Sequence, residues 1–200
     1  EEITQAIKDS VHLNKLSSAY IRPLVFFGEG EMGLLPQNVP VYVSVAAWSW
    51  GAYLGDDAGD KGVKVCISNS GYDDAIMLGD NDVVAEGSGQ NLFLIKDRKI
   101  TTPPVETGAL GGITRKTVIE IAQSLSIPLE EKNITIDDLK NADELFFTGT
   151  ATEVVGVVSI DGENIGSGTP GDVTNLIRDK YLTIVNGIDS DYHHYLTLVS

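Results

Sequence analysis

The stretch ELFFTGTATEVVGVVSIDGENIG, residues 144–166, consists of two apolar runs on either side of a short segment of small and hydroxyl-bearing residues, Thr148–Thr152. Apolar runs rich in aromatic and β-branched residues predict two β-strands joined by a tight turn, and Asp161-Gly162 predicts a second hairpin. A turn of small residues can also direct consecutive backbone N–H groups at an anion. The stretch therefore predicts a β-sheet and a candidate anion site.

Six further short strands are predicted before this stretch. They are GVKVCIS (62–68), DDAIML (73–78), VVAEGS (83–88), NLFLIK (91–96), KITTPP (99–104) and SIPLEEKNI (126–134). The segments Gly79–Asp82 and Lys96–Arg98 contain the residue types that are common in hairpin connections. Short strands that are linked by tight turns predict a mostly antiparallel β region.

Two more strands are predicted nearer the amino end of the chain, from the runs AYIRPLVFFG (19–28) and VPVYVSVAAWSW (39–50). Short helices are predicted at residues 2–16, where apolar residues recur at spacings of three and four, and at TIDDLKNA (135–142).

Two longer helices are predicted from the same spacing. One begins after Gly112, where Thr114 is placed to cap or open it, and the other covers residues 171–186, with Leu176 and Ile177 in its apolar stripe. Helices and strands mix without a strict βαβ alternation, which predicts an α+β fold.

The composition excludes several classes of function. With 14 Lys+Arg against 29 Asp+Glu, the net charge of −15 argues against nucleic-acid binding, which needs a basic surface. The content of 42% apolar and 22% charged residues is typical of a globular protein, and no run approaches the length of a membrane span. The amino-terminal residues do not resemble a signal peptide, so we expect a cytoplasmic protein. Cys66 predicts a buried thiol, and the adjacent His193 and His194 predict no metal site.

Two other segments have the chemistry of a binding site. Gly111–Arg115 stands where a loop becomes a helix, so its free backbone N–H groups and the Thr114 hydroxyl either bind a phosphate or belong to an ordinary capped helix. Glu86 stands at the end of an apolar strand, and the glycines that follow it allow another group to approach closely. Such a carboxylate is either simply exposed or part of a site.

These segments together resemble a known family. Glu86 with the following S-G-x-N-x-F, L-x-G-I-T-R at Leu110–Arg115 and T-G-T-A-x-E-V at Thr148–Val154 occur in the order of the fold-type IV pyridoxal-phosphate aminotransferases. Within that group the chain most resembles the branched-chain amino acid aminotransferases. The further segments that carry this narrower resemblance are AYIRPLVFFGEGEMGL, AAWSWGAYLG and GYDDAIML.

The resemblance implies a D-amino-acid aminotransferase-like architecture. Residues 1–50 would be the remnant of a small amino-terminal domain that is mostly absent, and residues 51–200 would be the large cofactor-binding domain. The implied activity is transamination of leucine, isoleucine and valine with 2-oxoglutarate, with pyridoxal 5′-phosphate as cofactor, in a homodimer or a larger homo-oligomer. No nucleic-acid or membrane partner is implied.

The resemblance also implies the site residues. Glu86 would face the ring nitrogen, Leu110 would pack on the ring, and the phosphate would lie on the amides at the helix start and on the T-G-T turn. The implied cofactor-binding residues are Glu86, Leu110, Gly112, Ile113, Thr114, Gly149 and Thr150. The implied contacts to the substrate α-carboxylate are Tyr20, Arg22, Thr150 and Ala151.

One departure from the family is large. Its members carry the Schiff-base lysine in an A-K-x-x-G-N-Y motif, but here Ser68 is followed directly by Asn69, and none of the ten lysines has a matching context. Either the sequence omits this segment, or the protein is shortened and non-catalytic. A D-amino-acid aminotransferase or an aminodeoxychorismate lyase of the same fold is a further alternative. A smaller departure is Gln90, which stands where glutamate is common.

Overall fold

A computed structural model of the chain describes residues 1–29, 39–51, 54–55, 57–67, 73–79 and 82–199. The Ser68–Asn69 junction, part of the predicted Gly79–Asp82 connection and most of the GEGEMG segment lie outside the described residues. The chain divides into two compact units. The first consists of Glu1–Gly51 with Thr197–Ser200, and the second of Ala52–Leu196.

The first unit contains a helix and a β-hairpin. Helix α1 (Glu2–Leu13) confirms the predicted amphipathic segment, although none of its residues is buried. Strands β1 (Tyr20–Phe27) and β2 (Val41–Trp48) are antiparallel, with Tyr20 opposite Trp48 and Phe27 opposite Val41. Because side chains alternate between the two faces of a strand, both faces of this hairpin carry exposed apolar residues.

The second unit is a mixed sheet with helices against it. Its strands are β3 (Val63–Cys66), β4 (Asp74–Leu78), β5 (Val84–Gly87), β6 (Asn91–Lys96), β7 (Lys99–Thr102), β8 (Leu129–Glu131), β9 (Glu144–Gly149), β10 (Glu153–Ile160) and β11 (Glu163–Asn164). Its helices are α2 (Ala58–Lys61), α3 (Ile113–Ser124), α4 (Ile136–Lys140) and α5 (Asp172–Val185). The strand order is β5-β4-β3-β10-β9-β6-β7-β8, with β11 beside β10.

The sheet is less antiparallel than the turn signals predict. Five neighbouring pairs are antiparallel, but β3 runs parallel to both β4 and β10, and β7 runs parallel to β8. The chain passes through helix α3 between β7 and β8, and a crossover of this length is what parallel pairing requires. The α+β class is confirmed, and the sheet within it is mixed.

Alternating side chains of the sheet contribute to two hydrophobic clusters. On one face Leu92, Phe147 and Val155 belong to a cluster within the curled sheet. On the other face the rings of Phe93 and Phe146 stack with centroids 4.8 Å apart beneath α3 and α5. The predicted apolar stripe of the last helix is right for Ile177, which is buried, and wrong for Leu176, which is exposed because it lies outside the face that packs on the sheet.

Two of the predicted hairpins are confirmed. Lys96 pairs with Lys99, and Asp97 and Arg98 between them both have positive φ. Ile160 pairs with Glu163 around Asp161-Gly162, which also have positive φ. Positive φ at both central residues is the requirement of a two-residue turn whose twist matches that of the strands, and Asp-Gly satisfies it readily.

The helices of the second unit start in different ways. Helix α4 starts with a capping box. The Asp138 amide donates to the Thr135 hydroxyl, and the Asp138 carboxylate accepts from the Thr135 amide. The start of α5 is capped by Glu144 from β9, whose carboxylate accepts from the amides of Val173 (3.1 Å) and Thr174 (2.7 Å). In both cases side chains of the protein satisfy amides that a helix start leaves without internal partners.

Neither membrane-spanning helices nor metal-binding clusters were found in the part of the chain that the structure describes. No helix there is long and apolar enough to cross a membrane. No group of three or more His, Cys, Asp and Glu residues there is placed to hold a metal ion. Cys66 lies in β3 and is a buried free thiol, as predicted.

Candidate active site

Glu86 lies near the end of β5 and has one carboxylate oxygen held by the protein. Its Oε2 accepts hydrogen bonds from Asn91 Nδ2 at 3.0 Å and from the Leu110 amide at 2.9 Å. Its Oε1 receives no hydrogen bond from the described residues. The side chain is half-buried. The carboxylate is therefore fixed in orientation and still has an oxygen that can accept a hydrogen bond from a ligand.

Asn91 provides the side-chain donor to this carboxylate, and the Leu110 amide provides the backbone donor. Asn91 is the first residue of β6 and is 5% exposed. Its Nδ2 also donates to the Leu110 carbonyl oxygen at 2.7 Å. The sequence predicts no role for Asn91. The signal that was available is its fixed place in the S-G-x-N-x-F segment, five residues after Glu86.

The start of α3 differs from the other helix starts of this unit. Its N-cap is Gly112, no side chain among the described residues accepts a hydrogen bond from its first-turn amides, and its first turn contains no acidic residue. Thr114 therefore lies in the first turn and does not cap the helix, which corrects that part of the expectation. Burial raises the pKa of the nearby Tyr181 hydroxyl, and a hydrogen bond with Thr114 lowers this pKa in part. The helix start presents backbone N–H groups and the positive end of the helix dipole to an anion.

Gly112 is required where the helix start meets Asn91. A Cβ atom at this position would overlap Asn91 Oδ1. The Gly112 amide donates to the Leu110 carbonyl oxygen at 2.9 Å, so the same carbonyl receives hydrogen bonds from both Gly112 and Asn91. Gly111 is not constrained in this way, because the nearest atom to a Cβ there is Val105 Cγ1 at 3.8 Å.

The T-G-T-A segment spans the end of β9, with Thr148 and Gly149, and the start of the turn to β10, with Thr150 and Ala151. Gly149 pairs with Glu153, and residues 150–152 form the loop. Thr150 is exposed at this loop and Ala151 is half-buried. Thr148 lies directly opposite Asn91 in the β6–β9 ladder. The turn is therefore adjacent to the strand that carries the Glu86 partner.

Gln90 fills the space between this turn and the end of β5. It is 3% exposed, and its Oε1 accepts from the Gly89 amide at 2.9 Å. A Cβ atom on Gly149 would lie 3.6 Å from Gln90 Cγ. Gln90 Nε2 has no hydrogen-bond partner among the described residues. A neutral amide thus stands beside the candidate site.

The predicted residues of the second unit are thus brought together by direct contacts. Glu86, Leu110 and Gly112 are joined through the Asn91 amide. Ile113 and Thr114 follow in the first turn of α3. The turn with Gly149, Thr150 and Ala151 is connected to them through the pairing of Thr148 with Asn91.

The remaining two predicted residues lie in the first unit. Arg22 Nη2 donates to the Tyr20 hydroxyl at 3.1 Å, and the guanidinium lies 5.4 Å from the centre of the Tyr20 ring. The same ring contacts the rings of Trp48 and Trp50, with centroids 5.2 and 4.5 Å away. Tyr20 and Arg22 therefore form a polar pair at the edge of an aromatic cluster.

Comparisons with known proteins identify the family. The model of the amino-transferase class IV family matches residues 67–160. A branched-chain-amino-acid aminotransferase of Pseudomonas aeruginosa is 40% identical, and the match covers all of this chain and 75% of that protein. The enzyme of the same name from Escherichia coli K12 is 34% identical with the same coverage.

Solved structures give the same answer. The crystal structure of the Escherichia coli branched-chain amino acid aminotransferase superposes with a TM-score of 0.94 at 35% identity, over 100% of this chain and 76% of that one. The T.th. enzyme with pyridoxamine 5′-phosphate gives 0.91 at 38% identity, over the same shares. These matches confirm the expected fold-type IV architecture.

The comparison with the Pseudomonas aeruginosa enzyme extends over 230 residues, 30 more than the 200 residues of this chain. This difference in length supports the expectation that an internal segment of the relatives has no counterpart in this sequence. Identity above 30% over the whole chain, together with the shared fold, decides the family. The chain therefore belongs to the branched-chain-amino-acid aminotransferases of the class IV amino-transferase family.

Proposed function

We propose that this protein binds pyridoxal 5′-phosphate and transfers amino groups between branched-chain amino acids, namely leucine, isoleucine and valine, and 2-oxoglutarate, with a Schiff-base lysine on a segment that the sequence omits between Ser68 and Asn69. The observation that carries the proposal is the Glu86 carboxylate, held through Oε2 by Asn91 and Leu110, beside a helix start that none of the described side chains caps. Among the relatives, the T.th. enzyme has been solved with pyridoxamine 5′-phosphate, with N-(5′-phosphopyridoxyl)-L-glutamate and with 4-methylvaleric acid.

The residues present fit this cofactor at both of its ends. A phosphate needs N–H donors and positive potential, and the first turn of α3 supplies both without an acidic residue near the anion. A protonated ring nitrogen needs a carboxylate, and Glu86 has Oε1 available for it. These local features allow an anion to bind to a chain whose net charge is −15.

We assign the phosphate contacts to Gly112, Ile113, Thr114, Gly149 and Thr150. The ring nitrogen is assigned to Glu86, and the ring face to Leu110, whose side chain is 69% exposed and so is not engaged in the core. When bound, pyridoxal phosphate supplies an electron sink for the electron pair left by the bond broken at the substrate Cα. Glu86 strengthens that sink, because a carboxylate next to the ring nitrogen favours its protonated form.

Thr150 and Ala151 of the β9–β10 turn are assigned to the substrate carboxylate, and Tyr20 and Arg22 of the first unit are assigned separately as carboxylate-binding donors. The Arg22 guanidinium has the charge for this task, and its hydrogen bond to the Tyr20 hydroxyl fixes it next to a second donor. A branched aliphatic side chain is then selected by apolar burial, which contributes about 0.8 kcal/mol per methylene.

A shortened, non-catalytic form is the second function that an observation favours, because the sequence lacks the A-K-x-x-G-N-Y motif. Such a protein retains the phosphate and carboxylate sites and has no lysine to attach the cofactor. The mass of the intact protein distinguishes the two: a mass near 21.4 kDa supports shortening, and a mass larger by the missing segment supports omission.

The proposal is tested by binding and by turnover. Purified protein is titrated with pyridoxamine 5′-phosphate, loaded with pyridoxal phosphate and reduced with borohydride, and assayed with L-leucine, D-alanine and 4-amino-4-deoxychorismate. We expect pyridoxamine phosphate to bind, borohydride to attach the cofactor to a lysine, and L-leucine to be the preferred donor. Glu86→Gln is expected to lower the turnover number more than it raises KM. Preference for D-alanine or the chorismate derivative, or no cofactor binding, would overturn the proposal.

We also propose that the protein is cytoplasmic and forms a homo-oligomer. A single buried cysteine accords with the reducing cytoplasm. Exposed apolar residues on both faces of the β1–β2 hairpin, among them Leu24, Val25, Phe26 and Phe27, support burial in a homodimer or larger homo-oligomer. Sedimentation velocity on the purified protein checks this, and a monomer at micromolar concentration would contradict it.

A further inference from the structure

We infer that Asn91 is a positioning residue. It acts on the cofactor through Glu86, because it fixes the position of the Glu86 carboxylate relative to the start of α3. The inference rests on the proposed function. Asn91 makes three contacts that belong to three parts of the site: Glu86 Oε2 at 3.0 Å, the Leu110 carbonyl oxygen at 2.7 Å, and close packing of Oδ1 against Gly112.

The chemistry of these contacts requires an amide at position 91. A primary amide carries two N–H bonds in one plane, and here one reaches a carboxylate oxygen and the other a backbone carbonyl oxygen. Because both partners are acceptors, they fix which end of the amide is the nitrogen. Serine can satisfy only one of them, alanine neither, and aspartate would place a second negative charge beside Glu86.

The amide is fixed more firmly than a surface loop would allow. Asn91 begins β6, and its backbone pairs with Thr148 in the middle of the sheet. The Leu110 amide gives Glu86 Oε2 a second hydrogen bond, so that Leu110 and Asn91 together restrain the carboxylate. Without Asn91, one backbone hydrogen bond would remain and the carboxylate could rotate away from the ring nitrogen.

The Glu86 carboxylate and the start of α3 are the two groups assigned to the two ends of the ligand. The ring nitrogen and the phosphate of a pyridoxal compound are a fixed distance apart, so their protein partners must be held at a matching separation. Asn91 contacts the residue on each side of that span, Glu86 and Gly112. Its loss should weaken a ligand that uses both ends more than a ligand that uses only the helix start.

The test compares two probes, pyridoxamine 5′-phosphate and inorganic phosphate, titrated into the wild type and into Asn91→Ala, Asn91→Ser and Asn91→Asp. Pyridoxamine phosphate binds without a lysine, so the missing motif does not affect the result. We expect Asn91→Ala to lower pyridoxamine phosphate affinity about tenfold, the order expected for a lost hydrogen bond to a charged group. Serine should lower it less and aspartate more, and phosphate affinity should change less than about twofold in the two uncharged variants, Asn91→Ala and Asn91→Ser.

The matched control is Asn175→Ala. Asn175 is half-buried, and its Nδ2 donates to the Pro170 carbonyl oxygen at 3.3 Å, away from Glu86. It should leave both affinities unchanged. Melting temperatures of all variants separate a loss of folding from a loss of binding.

A double-mutant cycle with Glu86→Gln shows whether Asn91 acts through Glu86. If it does, Asn91→Ala should change pyridoxamine phosphate affinity less than about twofold in the Glu86→Gln background. Three results would overturn the role of Asn91 and leave the proposed function standing. They are additive effects of Asn91→Ala and Glu86→Gln on pyridoxamine phosphate affinity, an equal loss of affinity for both probes in Asn91→Ala, and wild-type affinity in Asn91→Ala. If the wild type binds no pyridoxamine phosphate, the proposed function fails, and the inference fails with it.

Discussion

The starts of α3 and α5 have the same local construction, but only the start of α5 has its backbone N–H groups capped by the neighbouring side chain. Each has a glycine N-cap, and at each a Cβ atom would overlap a polar side chain, Asn91 Oδ1 at Gly112 and the Glu144 carboxylate at Gly171. At α5 that side chain is an acid that accepts hydrogen bonds from the first-turn amides. At α3 it is an amide that binds a carboxylate and a carbonyl, and caps no helix N–H.

A glycine N-cap packed against a polar side chain is thus compatible with a helix start that the protein caps itself and with one that it leaves uncapped. A helix start attracts negative charge, and the protein can supply that charge itself or keep it away. Glu144 and Asp172 supply it at α5, whereas the first turn of α3 has no acid. A helix start without an internal anion is less stable and is available to bind a phosphate.

The largest effect is expected from Gly112→Ala. The new methyl group would overlap Asn91 Oδ1, so the amide must leave its place between Glu86 and Leu110, or the start of α3 must shift. We expect pyridoxamine phosphate affinity to fall by more than about tenfold and inorganic phosphate affinity to fall with it. Isothermal titration measures both. Gly111→Ala is the control, because a Cβ there meets only an ordinary contact; equal affinities for the two variants would refute the prediction.

The next effect is on stability at the other helix. Glu144→Ala removes the carboxylate that accepts from Val173, Thr174 and the Thr174 hydroxyl. We expect the free energy of unfolding in urea to fall by about 1–2 kcal/mol, as for other lost caps, without a change in pyridoxamine phosphate affinity. Glu144→Gln retains acceptor oxygen and should cost less. If Glu144→Ala kept its stability and lost pyridoxamine phosphate affinity, Glu144 would serve ligand binding and not helix capping, and the prediction would be wrong.

A smaller change in stability, of opposite sign, is expected when an acidic residue is added to the first turn of α3, as is found in α5. Ile113 is 83% exposed at the first position of α3, so Ile113→Glu adds an acid there without disturbing the core. The helix dipole should raise the free energy of unfolding by about 0.3–1 kcal/mol, and the added charge should weaken phosphate binding several-fold. Ile113→Gln, with the same shape and no charge, is the control. Unchanged phosphate affinity in Ile113→Glu would argue against anion binding at this helix start.

The smallest effect concerns the capping box of α4. Hydrogen bonds from the Thr135 amide and hydroxyl lower the pKa of Asp138. Because the folded pKa lies below the unfolded value of about 3.9, this contribution to stability is present above that pH and is lost as pH falls through the folded pKa. Asp138→Asn should therefore reduce the stability difference between pH 7 and pH 3, by less than about 1 kcal/mol, in urea titrations at both pH values. An unchanged difference would contradict the assignment.

Local features were the most predictable from sequence. Asp161-Gly162 gave its hairpin because few residues accept positive φ at both turn positions. The helix after Gly112 followed from the spacing of Val118, Ile121 and Ala122, which are all buried. The turn between two strands was expected at Thr148–Thr152 and lies at residues 150–152, because Thr148 and Gly149 still pair with β10. These features depend on short-range geometry that the residue types carry with them.

Other features depend on partners far away in the sequence. Asn91 bonds to Leu110, nineteen residues later, and Glu144 caps a helix that begins about thirty residues later. The parallel pairing of β3 with β10 joins segments that are farther apart still. Spacing and composition predict which residue types are available, but they do not predict which distant strands become neighbours.

The sequence by itself determined the family, the positions of most helices and strands, and the residue types of a carboxylate and of two segments proposed to bind anions, because these follow from motif order and local periodicity. Only the tertiary structure decided that α5 has its own acid and α3 does not, and that one asparagine connects Glu86 to the start of α3. Those outcomes depend on side chains that meet across the sheet, where hydrogen bonds between distant segments select one arrangement among many that the same local patterns allow.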